Sequence, residues 1–215
     1  MAHYQKITVL MLFALSLQGV ALANTSNSHP LPEEGREYTR LVQPVTSAPR
    51  IVEFFSFYCG PCYQFVENYP VIEAINKTQP QGKTVTQYHV GAMGALGNEL
   101  TEAWAIAIVM GKTNLVEKPL FEAIRNGELT SMADIQAVFA TVGIDTSTYD
   151  NARQSIAVKG AIAQQNAAIA AFGVKGTPSF YVNGKYHINN AGIAVPTAND
   201  YVNRFAQVVQ VLLDK

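Results

Sequence analysis

The stretch that decides the fold is IVEFFSFYCGPCYQF, Ile51 to Phe65. Ile51 to Phe57 is apolar and aromatic with a single acid, Glu53, which is the pattern of a buried strand. Gly60-Pro61 follows, and proline is tolerated in the first turn of a helix, where the N–H it lacks would have no partner. Phe65, Tyr69, Ile72 and Ile75 then recur at spacings of three and four, one face of a helix, which Pro70 is expected to kink. Cys59 therefore stands at a strand-to-helix junction, where free N–H groups and the helix dipole favour a thiolate. Cys62 lies one turn further in, facing the body of the protein.

Cys59 and Cys62 are the only cysteines of the chain. A disulfide between them encloses almost no loop, so it does little as a staple. A zinc site needs two further ligands, and His29, His89 and His187 have no finger-like spacing. A redox couple cycling between dithiol and disulfide is the reading left, with Cys59 as the attacking thiol and Cys62 as the resolving one. It calls for neither cofactor nor metal.

The chain has 215 residues, of which 48% are hydrophobic, enough for one or two domains with proper cores. Fifteen basic residues against 16 acidic ones argue against a nucleic-acid partner, which usually demands a basic face. Lys6 is the only ionised side chain before Glu33. An apolar run from Ile7 to Leu17 leads to Ala21-Leu22-Ala23, a small-x-small cleavage pattern. Residues 1–23 read as a secretory signal peptide. The alternative is an uncleaved anchor, but Gln18 and Gly19 interrupt the run short of the roughly 20 apolar residues a span needs. The mature chain then works in an oxidising compartment. Residues 24–36, rich in Ser, Asn and Pro at their start, read as a flexible leader.

A second signal is GTPSFYVNGKYHI, Gly176 to Ile188. Ser179 to Val182 and Lys185 to Ile188 read as strands joined by Asn183-Gly184, the strongest short hairpin signal. Thr177-Pro178 enters the first strand. Spacing alone leaves open whether this proline is a plain edge feature or a cis peptide shaping a site.

VEFFSFYCGPCYQF, QYHVGAMG, LTEAWAIA and GTPSFYVNGKY occur in an order and spacing that resemble the DsbA family of periplasmic disulfide oxidoreductases. The resemblance covers the chain from about Glu37 onward. It implies an α/β architecture, a thioredoxin fold interrupted by an all-helical insert. It implies that Pro178 is cis beside the cysteines, with Thr177 next to the sulfurs. It implies that exported client polypeptides bind there as an extended strand. It also implies that Glu53, below the disulfide, shuttles the proton of Cys62. The alternative for Glu53 is a strand acid reaching solvent at an edge.

The middle of the chain fits a helical insert on its own terms. Leu100 to Met110, Leu115 to Asn126 and a third helix capped by Ser131 are each followed by a glycine: Gly111, Gly127 and Gly143. Thr148 to Phe172 gives one or two more, and Tyr201 to Leu213 closes the chain. Lys83 to Val90 supplies a further strand. The thioredoxin-like domain is expected at 37–90 and 168–215, with the insert at 91–167. Trp104, Tyr88 and His89 read as structural.

Several positions depart from the family's pattern. Gly60-Pro61, the pair seen in thioredoxin, replaces Pro-His. Thr177 stands where valine is usual; a threonine there is a feature of the periplasmic isomerase DsbC. Gln87 replaces the lysine that partners the buried acid. Val66 replaces a common acid, and Asn190 a proline at the rim of the peptide groove. Gln64 is kept as a groove residue beside Gly60, Pro61 and Thr177. These changes imply a pair less oxidising than is typical of DsbA, poised between about −120 mV and thioredoxin's about −270 mV. Isomerase or reductase activity becomes an alternative to oxidation. The redox partner is then a DsbB-like membrane oxidase or a membrane reductase. With no dimerisation segment evident, a monomer is expected. A reading of a different class is a non-catalytic peptide-binding chaperone.

Overall fold

The structure, a computed structural model, describes Met1 and residues 30–215. Apart from Met1, the expected signal peptide lies outside the described residues, as does the leader as far as residue 29. The rest of the leader is held rather than flexible. Arg204 Nη1 donates to the Pro30 carbonyl at 2.7 Å, Pro32 is buried, and Glu37 N–H closes a turn onto Glu33 O at 2.9 Å. Composition could not show this, because the anchoring arginine is 174 residues away.

Five strands make the sheet: β1 (Tyr38–Arg40), β2 (Ile51–Phe55), β3 (Thr86–His89), β4 (Ser179–Val182) and β5 (Tyr186–Ile188). Their order is β1-β5-β4-β2-β3. Every residue of β2 is buried, as a central strand covered on both faces requires. β2 pairs in parallel with β3, and β4 lies antiparallel on its other side. A parallel pair needs a crossover. Two helices supply it, α1 (Gly60–Glu67) and α2 (Val71–Thr78). Pro70 therefore does more than kink the expected helix. It splits it, standing as the N-cap of α2 with ψ 61°, because proline cannot donate to a carbonyl of the preceding turn.

The β4–β5 turn has Asn183 at φ 53° and Gly184 at φ 62°, both left-handed, as a two-residue hairpin demands. A Cβ on Gly184 would run into the Val45 carbonyl. The Asn183 amide donates to Leu212 O and Leu213 O at 3.2 Å, tying the turn to the end of the last helix, α8 (Ala198–Leu213).

Between β3 and β4 the chain makes α3 (Gly97–Met110), α4 (Thr113–Arg125), α5 (Met132–Thr141), α6 (Thr146–Gln154) and α7 (Ile156–Phe172). Left-handed Gly111 and Gly173 end α3 and α7. Ser131 and Asp134 form a reciprocal capping box on α5. Ser155, with ψ 149°, separates α6 from α7, so the apolar stretch to Phe172 is two helices. The whole is an α/β thioredoxin fold with a helical insertion. Among the described residues no helix is long and apolar enough to cross a membrane.

The apolar interior falls into three clusters, two on the face of β2 that carries Ile51 and Phe55 and one on the face that carries Val52 and Phe54. Ile51, Phe180, Val182 and Ile188 pack with α2 and α8. Phe55, Phe57, Cys59 and Cys62 pack with Trp104, Phe121, Phe139 and Tyr149 of the inserted helices. Val52, Phe54 and Tyr88 meet Phe172 and Tyr181 in a third cluster.

Candidate active site

β2 delivers the chain to Cys59, and α1 begins at the next residue. Cys59 is the N-cap: its Sγ accepts from the Cys62 N–H at 3.1 Å. Pro61 occupies the first turn, so the first N–H groups of α1 are few and one of them points at sulfur. Cys59 and Cys62 are joined as a disulfide, with Cα atoms 5.2 Å apart. Cys59 is 4% and Cys62 2% exposed, so the reaction is confined to one sulfur edge.

The Thr177–Pro178 peptide is cis, and the Thr177 carbonyl oxygen lies 3.4 Å from Cys59 Sγ. Residues 118 positions apart are thus brought together. Thr177 Oγ1 donates towards Met93 Sδ at 3.8 Å. Asn190 donates from Nδ2 to the Pro178 carbonyl at 2.9 Å and accepts from Tyr201 Oη on its own carbonyl at 3.1 Å. Gly60, Pro61 and Gln64 line an open groove of about 500 Å³ beside the disulfide, together with Phe65, Tyr69, Arg125 and Tyr201. Arg125 lies over the Tyr63 ring, its Cζ 4.8 Å from the centroid. Sequence reasoning missed Arg125 and Tyr201, which reach this groove from helices remote in the chain.

Glu53 does not reach solvent at an edge: it is 2% exposed. Gln87 sits opposite it on β3, and Gln87 Nε2 donates to Glu53 Oε2 at 3.1 Å. The same nitrogen donates to Glu117 Oε1 at 2.6 Å. Burial first, and the Glu117 charge second, push the Glu53 carboxyl up to about 8, against the Gln87 hydrogen bond. Burial also raises Glu117. Glu117 escaped the sequence reading because nothing in α4's own pattern marks it. The absence of lysine at position 87 was the available signal, since it left room for a second acid.

His89 and Tyr88 are packing residues, as expected. His89 Nε2 accepts from Phe57 N–H at 3.3 Å, which assigns the proton to Nδ1, 2.9 Å from Thr101 Oγ1. Burial lowers its pKa to about 3, so it is neutral. Trp104 is fully buried, and its indole N–H donates to the Gln87 carbonyl at 2.9 Å. Among the described residues no group of three or more His, Cys, Asp or Glu is placed to hold a metal ion.

Residues 50–203 match the model of the DSBA-like thioredoxin domain. The thiol:disulfide interchange protein DsbA of Salmonella typhimurium is 41% identical over 202 residues, 94% of this chain and 97% of that protein. Its counterpart in Escherichia coli K12 is 39% identical over 203 residues, covering 94% and 97%. The crystal structure of DsbA from Klebsiella pneumoniae superposes with a TM-score of 0.84 at 42% identity, over 87% of this chain and all of that one. A Proteus mirabilis DsbA solved with a non-covalently bound peptide, PWATCDS, gives 0.82 at 38% identity, over 86% and 99%. With its cysteine pair capping α1 against a cis proline, and with these matches along almost its whole length, the chain belongs to the DsbA family of thioredoxin-fold thiol:disulfide oxidoreductases.

Proposed function

We propose that the protein exchanges disulfides in exported polypeptides in the periplasm, with Cys59 attacked and Cys62 resolving. The observation that carries the reading is Cys59 Sγ held on the Cys62 N–H at the N-terminus of α1, facing the Thr177 carbonyl. A client thiolate attacks Cys59 Sγ. The client–Cys59 bond forms as the Cys59–Cys62 bond breaks, and the electron pair leaves on Cys62. Glu53, which keeps its proton to about pH 8, protonates it. A second client thiol, its proton lost to water, attacks the client sulfur of the mixed disulfide. Cys59 departs as a thiolate that the Cys62 N–H and the helix dipole stabilise. The client has lost two electrons and the pair has gained them.

The client lies along the Thr177-Pro178 edge as an added strand, so backbone hydrogen bonds position it without regard to its sequence. Gln64, Gly60 and Pro61 form the neighbouring wall of the groove. A DsbB-like membrane oxidase docks on this surface to restore the disulfide, and the protein acts as a monomer. Pro61 offers Cys59 neither charge nor N–H, so the reduced form is stabilised less than with histidine and the pair is less oxidising. Thr177 and Pro61 together favour a second reading, isomerase or reductase work kept reduced by a membrane reductase. Catalysed reduction of insulin by dithiothreitol tests exchange. A rate no faster than the uncatalysed one would instead identify a peptide-binding chaperone. Equilibration with glutathione separates oxidase from isomerase, and complementation of a strain lacking DsbA, with and without DsbB, tests the partner.

A further inference from the structure

Cys62, Glu53 and Glu117 line one small cavity, closed otherwise by Phe55, Phe65, Val66 and Phe121 among others. Its volume is about 10 Å³, so it admits at most one water molecule. Phe65, Val66, Ile72 and Glu117 also line a much larger cleft of about 640 Å³, which Gln87 faces too. Glu117 is therefore at the boundary: half-buried, with one side towards the enclosed space beneath Cys62 and the other towards open solvent. The two hydrogens of the Gln87 amide bind the two carboxyl groups to each other.

We propose that Glu117 is a positioning residue for the exchange reaction: its carboxylate keeps a proton on Glu53, ready for Cys62 as the disulfide opens. The inference rests on the reading of Glu53 as the proton donor to Cys62. Two acids tied to one amide cannot both ionise cheaply. Glu117, less buried than Glu53, gives up its proton first, and its charge then holds the second proton on the deeper Glu53. Among the described residues nothing else facing the pair supplies the opposite field. Lys118, the next residue of α4, is turned to Glu67 of α1 and to Glu122. Lys77 and Glu73 of α2, at the far side of the cleft, pair with each other at 2.7 Å. On β3, His89 is neutral, and on β4 the residue opposite Glu53 is Phe180. The lysine that commonly neutralises the buried acid in this family is Gln87 here. The amide preserves the hydrogen bond while removing the charge, so the second acid can act.

The test is reduction of the Cys59–Cys62 disulfide by glutathione from pH 5.5 to 9.5, by quenched flow and maleimide trapping. Each rate is divided by the fraction of glutathione present as thiolate. In the wild type the normalised rate should fall through a midpoint near pH 8 as Glu53 loses its proton. Glu117→Gln keeps the hydrogen bond to Gln87 and removes the charge. It should move that midpoint down by about one pH unit and slow the reaction at pH 7.5 by roughly three-fold, with the low-pH plateau unchanged. A loss of packing alone would lower the rate equally at every pH. Glu53→Gln should give a slow, flat profile. A wild-type profile without the fall, or a Glu53→Gln profile that keeps it, would overturn the reading of Glu53 itself. A flat Glu53→Gln profile with Glu117→Gln superimposable on wild type would overturn the role of Glu117 alone. A ¹³C titration of the Glu53 carboxyl in the oxidised protein, with and without Glu117→Gln, should show the same downward shift in the absence of any reaction. No shift there refutes the proposal.

Discussion

Replacing Glu53 by glutamine should make the oxidised protein more stable, and only above the pH at which an ordinary glutamate ionises. In the unfolded chain Glu53 loses its proton near 4.5, whereas in the folded protein it keeps it to about 8. Between these values the unfolded chain binds fewer protons, so wild-type stability falls as pH rises and levels off above the folded value. The gap corresponds to a loss of roughly 5 kcal/mol once pH exceeds 8, and to about 3 kcal/mol at pH 7. Glutamine fills the same space, accepts the same hydrogen bond from Gln87 and has no charge to desolvate. Glu53→Gln should therefore match the wild type at pH 4 and exceed it by about 3–5 kcal/mol at pH 8.5. For a chain of this size that corresponds to about 6–20 °C in Tm. The assay is urea unfolding of both oxidised proteins at half-unit steps from pH 4 to 9. Parallel curves, separated by less than about 1 kcal/mol throughout, would refute the account of Glu53 as a desolvated acid.

Cys62→Ser should accumulate client mixed disulfides on Cys59, visible on non-reducing gels, whereas Cys59→Ser should form none and lose all exchange activity; equal trapping by both would reverse the assigned roles. Pro61→His should make the pair more oxidising by tens of millivolts in glutathione equilibration, because it adds donors and positive charge beside the Cys59 thiolate. Arg204→Leu should cost about 3–5 kcal/mol at pH 7, since it strands the buried Glu37 carboxylate that Arg204 holds through contacts of 2.7 and 2.9 Å. The double variant with Glu37→Leu should recover much of that loss in the same unfolding assay. Burial alone would raise Glu37, but its bonds to Arg204 and to the Glu33 N–H hold it below the ordinary value. The stability this pair contributes is therefore lost as pH falls through the folded value, not as it rises.

The strand–CxxC–helix unit was legible because each of its parts is local. An apolar run specifies β2, a proline suits the first turn, and one turn of helix carries the chain from Cys59 to Cys62. Asn183-Gly184 was legible for the same reason: the left-handed turn it makes is decided by those two residues. β1 was not, because three residues carry no periodicity and its partner β5 lies at the other end of the chain. The Glu37–Arg204 pair spans 167 residues and Gln87–Glu117 spans 30, so neither leaves a mark on its own helix or strand. Pro70 is legible as an interruption, but its sequence context does not show that it ends one helix and starts another. At the start of an eight-residue helix there are too few hydrogen bonds on either side to carry a continuous helix past it.

The division of the interior sets where the chemistry can be engineered. Cys59 and Cys62 belong to the same packed cluster as Leu100, Ile106, Phe121 and Phe139 of the inserted helices. Phe180, Phe205, Val209 and Leu212 form a separate cluster against α2 and α8, on the same face of β2. Volume changes in the first cluster shift the walls against which the sulfurs sit, so the insert is the place to retune the pair's poise. Changes at Val209 and Leu212, neither of which lines the cavity beneath Cys62 or the groove beside Cys59, alter how firmly α8 clasps the sheet. A designer seeking a heat-resistant catalyst with unaltered redox behaviour should redesign Val209 and Leu212 of α8 and leave Ile72 and Tyr201, which border the cavity and the groove. One seeking a different oxidant should redesign α3 and α4.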